Sequence, residues 1–148
     1  MKNTIALLCL LMGCCIAYTQ DPVHWEFKSH KINNKVYEMH FVAHIDRPWH
    51  IYSTTSPDKS GMATTFSFKR NPLLQLDEPV NEKGNLITSQ NDELGIVLKY
   101  FENAVDFIQV VKLRSTVKTR ISGTVTYMAC TETRCLPPAA ATFQFTLN

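Results

Sequence analysis

The chain has 148 residues, 45% hydrophobic and 19% charged, with a formal net charge of +2. That is enough for one domain with one core, in the ordinary composition of a globular protein. The small charge, and the lack of a basic cluster interleaved with aromatics, argue against nucleic-acid binding. No Gly-x-Ser-x-Gly elbow, phosphate loop or dinucleotide fingerprint occurs, so hydrolase, kinase and dehydrogenase chemistry have no support.

In chain order, the first stretch reads as an export leader. Lys2 is a minimal positive region and Ile5 to Met12 a short apolar one. Cys15-Ile-Ala17 and Ala17-Tyr-Thr19 are candidate cleavage contexts, so residues 1–19 are assigned to a signal peptide and 20–148 to one domain. Leu11-Met-Gly-Cys14 also resembles a bacterial lipobox, which would leave the mature chain lipid-anchored at Cys14. No later apolar run approaches membrane length, so the mature chain is expected not to span a membrane. Of the five cysteines, Cys9, Cys14 and Cys15 lie in the leader. Cys130 and Cys135 remain, an even pair suited to an oxidising compartment.

Val23 to Phe27 alternates apolar and polar residues and reads as an entry strand, followed by an Asn-centred turn over Lys31 to Lys35. The clearest strand comes next, with Tyr37, Met39, Phe41, Ala43 and Ile45 on the inner face. Asp46-Arg-Pro48 breaks it. Trp49 to Ser53 is a short aromatic strand, Thr54 to Gly61 a polar loop, and Thr64 to Lys69 a strand with Phe66 and Phe68 inward. Leu73 to Leu76 is a short apolar piece, and Glu78 to Asn85, with Pro79 and Gly84, a loop. Ile96 to Phe101 and Val105 to Leu113 read as two strands joined at Glu102-Asn103. Ile121, Val125 and Tyr127 form the inner face of the next strand, and Phe143, Phe145 and Leu147 that of the last. Seven to nine short strands with Gly, Pro and Asn punctuation, and no window of helical period, predict an all-β antiparallel sandwich.

The two cysteines bracket Thr-Glu-Thr-Arg between the last two strands. Parity places Cys130 with Ser122, Thr124, Thr126 and Met128, on the wetter face where a thiol can react. Pro137 and Pro138 hold the chain off the sheet after Cys135. A structural staple is the plain alternative. Closing a loop of about six residues yields only roughly 2 kcal/mol, and a short exposed pair suits exchange chemistry at least as well. Both readings stay open on the residues alone. Arg134 beside Cys135 would favour thiolate, with Glu132 opposing it.

Other clusters are read as ordinary surface. His40 and His44 share a strand face but stand roughly 13 Å apart, and His24, His30 and His50 have no evident partner, so the histidines are expected to be solvated rather than metal-binding. Cys130, Cys135 and Met128 would make at best a loose soft copper clamp. No cofactor or metal is expected. Lys112, Arg114, Lys118 and Arg120 share parity and read as a solvated edge rather than a docking stripe.

Val-Thr-Tyr-Met-Ala-Cys130 … Cys135-Leu-Pro-Pro138, followed by a short closing strand, resembles the end of the N-terminal periplasmic domain of the thiol:disulfide interchange protein DsbD. Pro48-Trp-His-Ile-Tyr-Ser53 resembles that family's early aromatic segment, and Asn91-Asp-Glu-Leu-Gly95 its acidic cap segment. The likeness covers most of the chain past residue 23. It implies an immunoglobulin-like sandwich and a periplasmic module relaying electrons through the cysteines. Cys135 would form the mixed disulfide and Cys130 resolve it. Tyr52, Asp92, Glu93 and Leu94 would shield the pair, Leu94 standing where the family has an aromatic. His50 stands where the family has a tyrosine. The implied partners are thioredoxin-like or membrane-embedded thiol–disulfide proteins, and the implied activity is that of a carrier needing a separate reductant. The rival expectation is an exported immunoglobulin-like binding module with a structural disulfide; copper handling is a third.

Overall fold

Alternation at Val36 to Ile45 is the plainest strand signal in the chain, and it becomes the strand on which the core is built. The computed structural model describes residues 21–57, 61–91 and 95–148. Residues 1–20, on which the expected leader and Cys14 fall, and Asp92, Glu93 and Leu94 lie outside the described residues.

Nine strands are present among the described residues: β1 (Val23–Lys31), β2 (Val36–Ile45), β3 (His50–Tyr52), β4 (Thr65–Phe68), β5 (Leu74–Asn91), β6 (Ile96–Leu113), β7 (Thr119–Tyr127), β8 (Ala129–Cys130) and β9 (Ala139–Leu147). All their pairings are antiparallel. One sheet runs β1-β2-β6-β3-β8, with β5 along the other edge of β6; the second runs β4-β7-β9. The expected antiparallel sandwich is therefore the observed architecture.

Tyr37, Met39, Phe41, Ala43 and Ile45 of β2 are buried, in one core cluster with Ile121, Phe143, Phe145 and Leu147 from the facing sheet. Phe41 is the centre of an aromatic cluster, its ring centroid 4.7 Å from Phe143 and 5.0 Å from Phe66. Each such ring pair adds about 0.5–1.5 kcal/mol beyond the apolar area it buries. Gly123 keeps β7 close to its neighbours. A Cβ there would meet the Ser67 carbonyl oxygen at 2.2 Å and the Phe143 ring at 2.5 Å.

Two expectations are corrected. Glu78 to Asn85 is not a loop but part of β5, which runs eighteen residues. Register shifts between Asp77 and Asn81 and between Gly84 and Leu86 absorb the residues that read as breakers. As β5 pairs only with β6, Pro79 costs no ladder bond on the other side. Likewise, Ile96 to Leu113 is one strand, not two. Residues 104–112 of β6 pair with β2, and residues 100–102 with β3. The change of partner falls at Asn103, whose φ is 63°. The Glu102-Asn103 signal marked this switch rather than a strand end.

The four cations Lys112, Arg114, Lys118 and Arg120 are all exposed, and Lys112 pairs with Asp77 at 2.5 Å. Among the described residues no helix is long and apolar enough to cross a membrane.

Candidate functional site

The cysteines come together because the chain changes sheets. β7 ends at Tyr127 in the three-stranded sheet, and after Met128 the chain enters the six-stranded sheet as β8. There Ala129 pairs with Ile51 and Cys130 with His50. Ala129 and Ile51 turn into the core, so Cys130 and His50 share the opposite face.

A tight hairpin follows. The Thr131 amide donates to the Arg134 carbonyl at 2.7 Å, and the Leu136 amide to the Ala129 carbonyl at 2.9 Å. The Thr131 hydroxyl accepts the Arg134 amide at 3.2 Å. Cys130 and Cys135 lie opposite each other between those two bonded pairs. That is the non-hydrogen-bonded position, where facing side chains approach most closely. A disulfide joins them, with Cα atoms 4.0 Å apart. Ladder register, not the sulfur bond, brings the two residues face to face.

The parity expectation for Cys130 needs correction. The residue does lie off the core side, but it is only 1% exposed. The strand breaks at Met128, so burial beyond that point no longer follows the β7 alternation. Cys135 is the exposed member of the pair.

Beside Cys135 opens a groove of about 430 Å³ lined by His50, Tyr52, Leu98, Tyr100 and Glu132, among others. Tyr52 lines the same groove as Cys135. It is 5% exposed, and burial, with a smaller contribution from Tyr100, raises its phenol pKa. Its carbonyl accepts the buried Thr64 hydroxyl at 2.5 Å. Glu82 holds the chain beyond it: its carboxylate accepts the Ser53 hydroxyl at 2.7 Å and the Thr54 amide at 2.6 Å. The sequence offered no signal for this clamp, because Glu82 sits in the stretch that read as a loop.

His50 is not a solvated histidine. Its ring lies 4.4 Å from the Tyr100 ring, and its Nε2 is 3.4 Å from the Tyr52 hydroxyl oxygen. Burial lowers its pKa, opposed by the nearby carboxylates of Glu102 and Glu132. His40 also has a partner, with Nδ1 2.8 Å from Asp106. His24, His30 and His44 are exposed. Arg134 places its guanidinium 5.2 Å from the centre of the Trp49 ring, so that cation is engaged by the indole face. Among the described residues no three His, Cys, Asp or Glu side chains group as a metal site.

No protein-family model matches the sequence, and no curated protein matches it. Solved structures do match in shape. The N-terminal periplasmic domain of ScsB from Proteus mirabilis superposes with a TM-score of 0.58 at 15% identity, covering 86% of this chain and 46% of that one. This chain thus spans less than half of that neighbour. The reduced N-terminal domain of DsbD from Neisseria meningitidis gives a TM-score of 0.54 at 12% identity, covering 86% and 91%. The complex of the DsbD and PilB N-terminal domains from the same organism gives 0.50 at 13%, covering 88% and 87%. The likeness first read from the residues around Cys130 and Cys135 extends to the architecture, and the chain has the immunoglobulin-like sandwich fold of the DsbD N-terminal domain.

Proposed function

We propose that this chain is an exported thiol–disulfide exchange module that relays electrons through Cys130 and Cys135 to or from periplasmic partners. The observation that carries this reading is the asymmetry of the pair. Cys130 is 1% exposed, whereas Cys135 is exposed beside an open groove. Such a pair can present one sulfur to a partner and keep the other for the second step. In the reduced module the Cys135 thiolate attacks a partner disulfide, forming a mixed disulfide and releasing one partner thiol. Cys130 then attacks Cys135, closing the Cys130–Cys135 bond and releasing the second. Two electrons and two protons pass to the partner, and no cofactor is needed.

The surroundings support the same reading. A neighbour of this fold is named a periplasmic domain, and another is in complex with a PilB domain. For this chain the partners would be thioredoxin-like or membrane-embedded thiol–disulfide proteins, met in the periplasm after export, with Cys14 as the candidate lipid attachment. Asp92, Glu93 and Leu94 are proposed to shield the pair together with Tyr52.

The test is a reduction potential. Residues 20–148 are equilibrated against defined thiol–disulfide buffers and the Cys130–Cys135 pair is titrated. A relay pair should equilibrate near the thioredoxin value of about −270 mV. A value below about −300 mV would mark a structural bond and overturn the proposal.

A further inference from the structure

One row of cross-strand neighbours runs through the site. Glu102 on β6 faces His50 on β3, His50 faces Cys130 on β8, and Cys130 faces Cys135 across the hairpin. Paired residues of antiparallel strands point to the same side, with Cβ atoms about 4.5–5.5 Å apart. Carboxylate, imidazole, thiol and thiol therefore follow one another on a single face. That is the order of a nucleophile, its base and the group that favours the charged base.

Cys130 needs such a neighbour. At 1% exposure its thiol has little access to water, and since the thiolate is the nucleophile a protein group must take the proton as it attacks. Its two cross-strand neighbours are Cys135 on one side and His50 on the other. Among the described residues, the other ionisable groups around His50 are Tyr52 on its own strand, Tyr100 and Glu102 on β6, and Glu132 and Arg134 on the hairpin. Arg134 is drawn onto Trp49. The phenol of Tyr52, its ionisation opposed by burial, is no base.

We infer that His50 is the proton acceptor for Cys130 when that thiol resolves a mixed disulfide at Cys135, and that Glu102 is a positioning residue favouring the imidazolium so formed. The inference rests on the relay reading above. In the tautomer whose Nε2–H donates to the Tyr52 oxygen, Nδ1 is the basic nitrogen. It takes the Cys130 proton as Sγ attacks Cys135. The Cys130–Cys135 bond forms, the bond from Cys135 to the partner sulfur breaks, and the departing thiolate takes the proton from the imidazolium. Burial keeps the imidazole neutral to lower pH than an ordinary histidine, so the base is available through the neutral range.

A magnitude follows from thiol ionisation. A thiol of ordinary pKa, about 8.5, is only about 3% thiolate at pH 7, so assistance by a base is worth on the order of 30-fold there for such a thiol. His50→Gln keeps a hydrogen-bonding side chain and removes the base. The reduced domain is mixed with a chromogenic aryl disulfide in a stopped-flow instrument. Capture at Cys135 releases one coloured thiolate in a phase dependent on reagent concentration, and resolution by Cys130 releases the second in a concentration-independent phase. At pH 7, the ratio of the second rate to the first should fall about tenfold in His50→Gln. Its second phase should then rise steadily with pH, where wild type is level between the histidine and thiol limits. Glu102→Gln, which leaves the base in place, should move the acid limb of the second phase to lower pH. Identical second-phase profiles in wild type and His50→Gln would overturn the role of His50, and an unmoved acid limb in Glu102→Gln that of Glu102. If wild type released no coloured thiolate, the relay reading itself would fall.

Discussion

Replacing both cysteines by alanine separates a redox pair from a staple. The bond closes a loop of six residues, since the sequence separation is five, and in chain entropy that is worth about 2 kcal/mol. Cys130 is buried, so emptying its sulfur site costs about a further 1 kcal/mol, comparable to one buried methylene. Cys135 is exposed and adds little. The hairpin keeps its own bonds, Thr131 to Arg134 and Leu136 to Ala129, and the aromatic core lies between other strands. The double variant should therefore lose about 3 kcal/mol, and wild type reduced by dithiothreitol only the loop share of about 2. For a domain of this size the variant's melting point should fall by roughly 6–12 °C. Denaturant and thermal unfolding of oxidised, reduced and doubly substituted protein measure all three values. A double variant already unfolded at 25 °C without denaturant would refute the reasoning and make the bond a staple.

Four further outcomes are expected. Cys130→Ala should accumulate mixed disulfides with partner proteins on non-reducing gels, because Cys135 is the exposed sulfur; capture by Cys135→Ala instead would reverse the roles. Gly123→Ala should destabilise by about 1–3 kcal/mol or more, since its Cβ would meet the Ser67 backbone at 2.2 Å; an unchanged denaturation midpoint would show that β4 and β7 can separate freely. Burial and the hydrogen bond to Asp21 raise the Tyr127 phenol pKa, so this group's contribution to stability is complete below pH 10 and is lost as pH climbs beyond it. Tyr127→Phe should flatten stability above pH 10, and curves parallel to wild type there would exclude Tyr127 as a source of alkaline unfolding. Leu94→Ala, in the proposed shield, should speed reaction of the reduced pair with a small disulfide at matched melting point, and unchanged kinetics would leave Tyr52 as the remaining shield residue.

Periodicity was legible where a strand has one wet face and one dry one. In β2, Tyr37 to Ile45 alternates in burial just as it does in sequence, and β7 and β9 follow the same rule. It failed where strand identity depends on distant pairing. Pro79 and Gly84 read as breakers because nothing local says that β5 lies at a sheet edge and bulges around them. Asn103 read as a boundary because a change of partner strand has the same local signature as a turn. At the site, the cysteines stood out by type and context, whereas Tyr52 was singled out only through the family resemblance. The burial of Cys130 did not stand out, since the parity argument assumes one continuous strand and the chain changes sheets at Met128. The pairing of His50 with Cys130 is a contact across some eighty positions of sequence, and no local pattern encodes it.

The hairpin register has a consequence for how such a module could diversify. Because the backbone ladder at Ala129, Thr131, Arg134 and Leu136 holds the two cysteines opposite each other, the tip residues Glu132 and Thr133 are not needed to align the sulfurs. Both are exposed on the rim where a docking protein would arrive. In the proposed relay, electron transfer and partner choice would then lie in separate residues of one eight-residue hairpin. The tip could be exchanged between related domains, as a loop is grafted between antibodies, and carry a new docking preference, provided the negative charge at position 132, which acts on His50, is kept.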